Sequence, residues 1–347
     1  MYLNELEKRL QKHGNNCDVF VVSGSNVFEK IDSASGIMRI IHTSRLVRKL
    51  SEYDVIHAQF TFPIGFSLAL LASLRLITVP IVVHTHGYDV FTAPEVNYGI
   101  RRNRIGRFLT NYAWSRSKKI IAVCKKSKIE ISASGISDEK IEILYNGVDE
   151  LLFRNTNTTP PEEFGSLRNE ADFLFLSIAS LVPVKNLEGL TTAFLELTEK
   201  LGSRSEVKLM LIGNTPKHNS ITLPKHSSIT YLGKKQHRDL PYYYNLADAF
   251  VLPSVSEAHP WSLLEAMACE LPVVASNVGG IPETIADKRF LIDPHDQIDI
   301  LKKLEMIVEL GSSERKVIGK SNREIILKSF TLSEHVNRLN NIFEMSV

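Results

Sequence analysis

The chain has 347 residues, enough for two domains of ordinary size, and its 44% hydrophobic and 23% charged content is that of a globular protein. A formal net charge of +2 makes no electrostatic case for nucleic acid. Cys17, Cys124 and Cys269 form neither a metal-ligand spacing nor a disulfide framework, which favours a reducing cytosol.

From the N-terminus, Tyr2 to His13 places Leu3, Leu6 and Leu10 on one stripe, the spacing of a helix that Gly14 stops. Its charged, amphipathic character is not that of a signal peptide. Apolar runs predict strands at Asp18–Ser23, Ile37–Ile41, Val55–Ala58, Ile81–His84, Lys119–Val123 and Ile141–Leu144, with helical patterns between most of them. The run from Ile64 to Val83 is about long enough to cross a bilayer. Arg75 interrupts it and Pro80 follows, so a buried helix and then a buried strand are expected. Asn146-Gly147 reads as a turn signal. Arg154 to Asp172, rich in Asn, Thr, Pro and Glu, reads as a linker. The second half predicts strands at Phe173–Ala179, Lys208–Ile212, Ile229–Leu232, Ala249–Leu252, Pro272–Ala275 and Phe290–Ile292. Helices are expected at Leu187–Leu201, with Asn186 as N-cap, and from Leu240, where the tyrosines are packing residues. The tail from Leu301 to Val347 is helical and broken at Phe330-Thr331. This alternation implies parallel sheets covered on both faces, with ligands beyond the carboxyl ends of the strands.

One stretch carries chemistry: PSVSEAHPWSLLEAMACELPVVASNVGGIPETI, Pro253 to Ile285. It reads as a strand end, a loop, a helix over Leu263–Cys269, a second strand and a Gly-Gly turn. A strand–loop–helix aims unpaired helix N–H groups and the positive dipole end at the loop, which suits phosphate. Glu257 and Glu265, seven residues between them, would repel phosphate, so their natural partners are hydroxyls. A diphosphate flanked by polyols describes a sugar nucleotide. The competing local reading of Glu265 is a capping box with Ser262.

This stretch resembles the C-terminal signature of the glycosyltransferase group 1 family (family 4), retaining enzymes of GT-B fold. The matching frame is Pro253-Ser254, Glu257, Leu264-Glu265-Ala266-Met267-Ala268, Pro272-Val273-Val274-Ala275-Ser276, Gly279-Gly280 and Pro282-Glu283. DVIHAQF, HTHGYDV, RSKKIIAVCKKSK and KIEILYNGVDELLF match the N-terminal domain in order and spacing. The resemblance implies two facing Rossmann-like α/β domains with a cleft between them. The expected bounds are 1–153 for an acceptor domain, 154–172 for the linker and 173–331 for a donor domain, with helix 332–347 returning to the first. Glu257 would face the sugar and His86 the sugar or acceptor, as the catalytic residues. Lys185 would hold donor phosphate and Glu265 the ribose. Gly213 stands at the family's Gly-rich turn, Gly233 borders the nucleobase, and the backbone of His259, Pro260, Trp261, Ser262 and Leu263 faces the donor. The other strand-end histidines, His57 and His84, are supporting residues.

Three departures stand against that pattern. Ala258-His259-Pro260 replaces Gly-Phe-Gly, and Pro260 has no N–H to donate. Ala179-Ser180 replaces Gly-Arg, leaving one phosphate cation fewer. The family's first strand and Gly-rich loop precede its first helix, whereas Met1 falls almost at that helix, so a shortened and less stable first sheet is expected. The implied reaction moves a sugar from a UDP- or GDP-sugar to an acceptor hydroxyl with retention, without a metal or other cofactor. The implied setting is cytoplasmic synthesis of cell-surface polysaccharide, glycolipid or glycoconjugate. Arg101, Arg102, Arg104 and Arg107, with Lys118, Lys119, Lys125, Lys126 and Lys128, read as a solvated face or as a contact with anionic membrane bearing a lipid-linked acceptor. A non-catalytic GT-B protein and a sugar-nucleotide epimerase remain as rivals. A dinucleotide oxidoreductase is disfavoured because no G-x-G-x-x-G follows a predicted strand.

Overall fold

A computed structural model describes residues 6, 9–12, 47–156, 171–217 and 220–347. The expected strands Asp18–Ser23 and Ile37–Ile41, and most of the expected linker, lie outside the described residues. The chain divides into two compact units, one of Met1–Thr92, Gly99–Leu144 and Val336–Val347, the other of Ala93–Tyr98 and Tyr145–His335.

The first unit contains a parallel sheet of β1 (Ile56–Ala58), β2 (Ile81–His84), β3 (Lys119–Ala122) and β4 (Ile141–Ile143), in that order. Val82, Val83, Ile120 and Ile121 are fully buried, as a sheet covered on both faces requires. The run Ile64–Val83 resolves into helix α1 (Phe66–Ser73) and strand β2. Helix α2 (Arg104–Arg116) starts where Asn103 Oδ1 accepts the Gly106 N–H at 2.8 Å, a side-chain N-cap. Helix α3 (Lys125–Ser132) follows β3. No helix among the described residues is long and apolar enough to cross a membrane.

The second unit is built on six parallel strands: β5 (Phe173–Ile178), β6 (Val207–Ile212), β7 (Ile229–Tyr231), β8 (Ala249–Leu252), β9 (Val273–Ser276) and β10 (Leu291–Ile292). Their spatial order is β10-β9-β8-β5-β6-β7. The chain therefore winds outward from β5 to β7, returns beside β5 as β8, and winds outward the other way. This is the Rossmann order, with a switch point between β5 and β8. Among the described residues the helices that accompany these strands are α4 (Leu187–Leu201), α5 (Leu240–Leu246), α6 (Trp261–Ala268), α7 (Ile281–Thr284), α8 (Gln297–Glu309) and α9 (Ser312–Ser329), and a last helix, α10 (Leu332–Glu344), follows them. The break at Phe330-Thr331 falls between α9 and α10. Tyr243 and Tyr244 pack in the core of this unit, while Tyr242 is exposed. Beyond residue 335 the last helix belongs to the first unit, where Phe343 packs edge-on to His57 and Arg338 donates to the Ile143 carbonyl at 2.6 Å.

Asn146-Gly147 is not a turn. The segment is extended and runs beside residues 330–332, with Val148 N–H donating to Phe330 O and Leu332 N–H to Val148 O. A β-carbon on Gly147 would lie 2.7 Å from the Thr331 carbonyl oxygen and 2.8 Å from the Leu332 α-carbon. Both are backbone atoms and cannot rotate away. Gly147→Ala is therefore expected to destabilise this unit by about 1–3 kcal/mol, the usual range for overpacking. A urea midpoint equal to that of the unaltered chain would contradict this.

Candidate active site

The switch point sets the carboxyl ends of β5 and β8 side by side, with Phe175 and Leu176 in register with Ala249 and Phe250. Each end runs into a loop and then a helix. The two loops are tied together where the Val255 N–H donates to Val184 O at 2.8 Å. That tie brings Lys185 and Glu257 together: the Lys185 ammonium donates to Glu257 Oε1, which also accepts the Ser254 hydroxyl at 2.8 Å. Glu257 is buried and Lys185 half-buried, so each charge is neutralised by the other in a poorly solvated place. Ser180 stands at the end of β5 and donates its hydroxyl to Asn214 Oδ1. Gly213 packs so closely on the Ala179 carbonyl that a β-carbon would sit 1.8 Å from its oxygen, and its N–H donates to Gly233 O at 3.1 Å. Asn186 does not cap α4 as expected: its backbone is left-handed and its side-chain amide donates to Pro294 O at 2.8 Å.

Glu265 lies on α6 and is buried. Its Oε1 pairs with His237 Nε2 at 2.7 Å and its Oε2 accepts the Tyr244 hydroxyl at 2.8 Å. The hydrogen bond to Glu265 raises the His237 pKa above its ordinary value, against the opposing effect of burial. Burial, reinforced by the Glu265 charge, pushes the Tyr244 phenol far up, so it stays a neutral donor. These partners overturn the capping-box reading. Helix α6 begins at Trp261, two residues earlier than expected, with Pro260 as an N-cap that offers no side-chain bond. Ser262 therefore lies inside the first turn, and Glu265 points to β7–α5 residues rather than back to a cap. Ser262 also accepts the Tyr244 hydroxyl through its carbonyl at 3.1 Å. The Leu263 side chain is in the core, so only its backbone can face a ligand.

The His259 imidazole is equally committed. Its Nδ1 accepts the Asn146 N–H at 3.1 Å, its Nε2 lies 3.1 Å from Thr284 Oγ1, and its carbonyl accepts the Asn146 side-chain amide at 2.6 Å. As a donor-facing position, His259 is left with backbone alone.

His86 belongs to the first unit. Its backbone N–H donates to Asp89 Oδ1 at 3.0 Å and its Nε2 lies 2.9 Å from Gln59 Oε1. Asp89 Oδ2 accepts the Thr61 backbone N–H and hydroxyl at 3.0 and 2.6 Å, and the Trp114 indole donates to that same hydroxyl oxygen at 2.9 Å. The rings of His84 and His86 stack with centroids 4.5 Å apart, and His57 Nε2 lies 3.3 Å from His84 Nδ1. The three histidines thus form one cluster at the ends of β1 and β2.

Two family models match the chain, Glycosyltransferase Family 4 over residues 1–150 and Glycosyl transferases group 1 over residues 159–325. The chain belongs to the group 1 glycosyltransferases. Its two Rossmann-like units are those of the GT-B fold. An uncharacterised glycosyltransferase of Methanocaldococcus jannaschii is 27% identical over 89% of this chain and 81% of its own length. An Escherichia coli UDP-Gal:α-D-GlcNAc-diphosphoundecaprenol α-1,3-galactosyltransferase is 24% identical over 88% of this chain and 78% of its own. Among solved structures, Anabaena HepE in complex with UDP and glucose superposes with a TM-score of 0.75 at 20% identity, covering 90% of this chain and 83% of that one.

In this glycosyltransferase the loop of the signature brings Ser254 and Glu257 to Lys185 from the loop after β5, and helix α6 of the signature carries Glu265 to a second place. Sequence reasoning missed His237, Tyr244, Asn214, Asn146 and Thr284. A buried tyrosine needs a partner for its hydroxyl, and that need was the one available signal for Tyr244. Nothing in spacing connects His237 with Glu265.

Burial, with His335 nearby, lowers the His259 pKa from its ordinary 6.5 to about 3. Between those values the unfolded chain carries a proton on this ring and the folded glycosyltransferase does not. Stability contributed by the neutral ring is complete above about pH 6.5 and falls as pH falls toward about 3, by several kcal/mol in order of magnitude. Urea midpoints should therefore drop more steeply below pH 6.5 for the unaltered protein than for His259→Asn. Parallel profiles would show that the ring titrates normally.

Proposed function

We propose that this glycosyltransferase moves a sugar from a uridine diphosphate sugar to a hydroxyl of a lipid-linked acceptor, with retention at the anomeric carbon. The observation that carries the donor half is the convergence of Lys185, Glu257 and the start of α6 at the Rossmann switch point, with Glu265 held on the same helix. Support for the uridine base comes from the fold of HepE, described with UDP and glucose. Support for a lipid-linked acceptor comes from the Escherichia coli relative, whose named acceptor is a diphosphoundecaprenol.

In this reading the Lys185 ammonium and the first N–H groups of α6 take the diphosphate and stabilise it as it leaves. A diphosphate at Lys185 competes with Glu257 for the ammonium. Glu257 then accepts sugar hydroxyls and faces the positive charge that develops at the anomeric carbon. Glu265, its orientation fixed by His237 and Tyr244, accepts the ribose hydroxyls through its remaining lone pairs. His86, held by Asp89 and Gln59, orients the sugar or the acceptor. The acceptor's proton passes to the leaving phosphate, so no separate general base is needed. The unit 173–331 carries the donor and the first unit the acceptor.

Lys185→Ala and Glu265→Gln are each expected to weaken UDP binding by about tenfold to a hundredfold, the worth of one charge-assisted hydrogen bond. Calorimetry giving unaltered affinity for both would remove these residues from the donor site. Glu257→Ala should lower turnover at saturating donor by roughly a hundredfold or more while changing UDP affinity much less. Turnover equal to that of the unaltered enzyme would reduce Glu257 to a loop residue. The configuration of the product, read from its anomeric proton coupling, decides between retention and inversion.

A further inference from the structure

Helix α2 buries Gly106, Thr110, Ala113 and Trp114 on one face. At about 100° per residue, Ile105, Phe108 and Tyr112 fall on the opposite face. Ile105 is 71% and Phe108 65% exposed, so the most apolar outward stripe of the helix faces away from its core. Helix α1, FSLALLAS, is apolar all round, a pattern otherwise found in fully buried helices. Yet Leu70 is 43% and Leu74, one residue beyond its end, 60% exposed. The two helices lie against each other: the Phe66 and Tyr112 rings are 5.7 Å apart and the Tyr112 hydroxyl donates to Ser73 Oγ at 2.7 Å. Their outward side chains therefore form one continuous apolar surface on the first unit.

The charges that the two helices themselves carry have one sign. Arg104 and Arg116 border the α2 stripe on its two sides, and the Arg116 guanidinium lies 5.7 Å from the Tyr112 ring centre. No Asp or Glu occurs between Phe60 and Tyr88 or between Val96 and Ile129. The structure also sorts the basic run. Arg101 is spent inside, 4.4 Å over the Trp114 ring and bonded to Thr110, Asn111 and Ser134. Lys119 and Lys126 pair with Glu142 and Glu130. What the two helices present outward is an apolar patch bordered by Arg104 and Arg116, with no carboxylate of their own.

A bilayer with anionic headgroups offers the complement to both features, an apolar interior beneath a negative surface. A two-fold contact between copies of this chain would set one cationic rim against another, which disfavours self-association here. We propose that the α1–α2 surface docks on anionic lipid, with Leu70, Ile105 and Phe108 entering the interface and Arg104 and Arg116 meeting lipid phosphates. The helices lie in the membrane surface and do not cross it. This deepens the reading of a lipid-linked acceptor and rests on it for its purpose.

The test is cosedimentation of the full chain with vesicles of phosphatidylglycerol and phosphatidylcholine that contain no acceptor. Binding is expected to the mixed vesicles, to fall with added salt, and to be weak on phosphatidylcholine alone. Phe108→Ser and Ile105→Ser should each bind tenfold or more weakly, and Arg104→Gln about fivefold more weakly. These side chains are exposed, so thermal melts should match those of the unaltered chain. Absence of binding to the mixed vesicles, or equal binding by all three variants, would overturn the proposal. So would a dimer that Phe108→Ser converts to monomer with vesicle binding unchanged. Vesicle binding without transfer to any lipid-linked acceptor would keep the surface and remove the acceptor assignment. Transfer to a lipid-linked acceptor in detergent without vesicle binding would do the reverse.

Discussion

The order of six parallel strands is the constraint from which the rest follows. Because the chain returns beside β5 after laying down β7, two strands with unrelated connections end next to each other. Between them the backbone has no crossover to fill the space, and the loops that follow both strands must share it. The Val255–Val184 hydrogen bond is the consequence, and it places Lys185 within reach of Glu257 across more than seventy residues of sequence. The packing of Gly213 on the Ala179 carbonyl belongs to the same arrangement on the other side of β5.

Two buried carboxylates in one unit would be costly without dedicated donors. Each has its own. Glu257 has an ammonium and a hydroxyl, Glu265 an imidazole and a phenol. The difference between the pairs is chemical. A lysine ammonium is a mobile point charge that a phosphate can draw off, whereas the Tyr244 phenol is fully buried and fixed. Under the proposed reading, Glu257 is the group whose partner changes during the reaction, and Glu265 the group that stays in place to measure the ribose.

Strands and helices were legible because apolar runs of strand length alternate with helical periods, and because the loop-to-helix signature has a fixed internal spacing. The split of Ile64–Val83 followed from one arginine and one proline. What failed were local readings of residues whose partners are distant. Ser262-x-x-Glu265 satisfies the capping-box spacing, yet the helix starts at Trp261 and both Glu265 oxygens are taken by residues 21 and 28 positions earlier. Asn146-Gly147 satisfies a turn signal, yet the glycine serves a close approach to Thr331. The His259 partner at Asn146 is 113 residues away. Periodicity reports which face of an element is buried, and it says nothing about which polar group will be met there.

The departures from the family pattern share a direction. Ser180, at the position of an arginine, bonds to Asn214, His259 bonds to Asn146 and Thr284, and Pro260 starts a helix. In each case a position that the family turns toward the donor is spent here on holding loops and crossing segments together. Under the proposed reading, the positive charge that the described loops of the switch point offer a diphosphate is the Lys185 ammonium and the roughly half charge of the α6 N-terminus, with Glu257 opposing it. A site with so little net charge gains little by attracting phosphate alone. On that reading, discrimination between donors falls to the groups proposed to read hydroxyls, and among the described residues of the signature those are the two carboxylates whose placement the switch point determines.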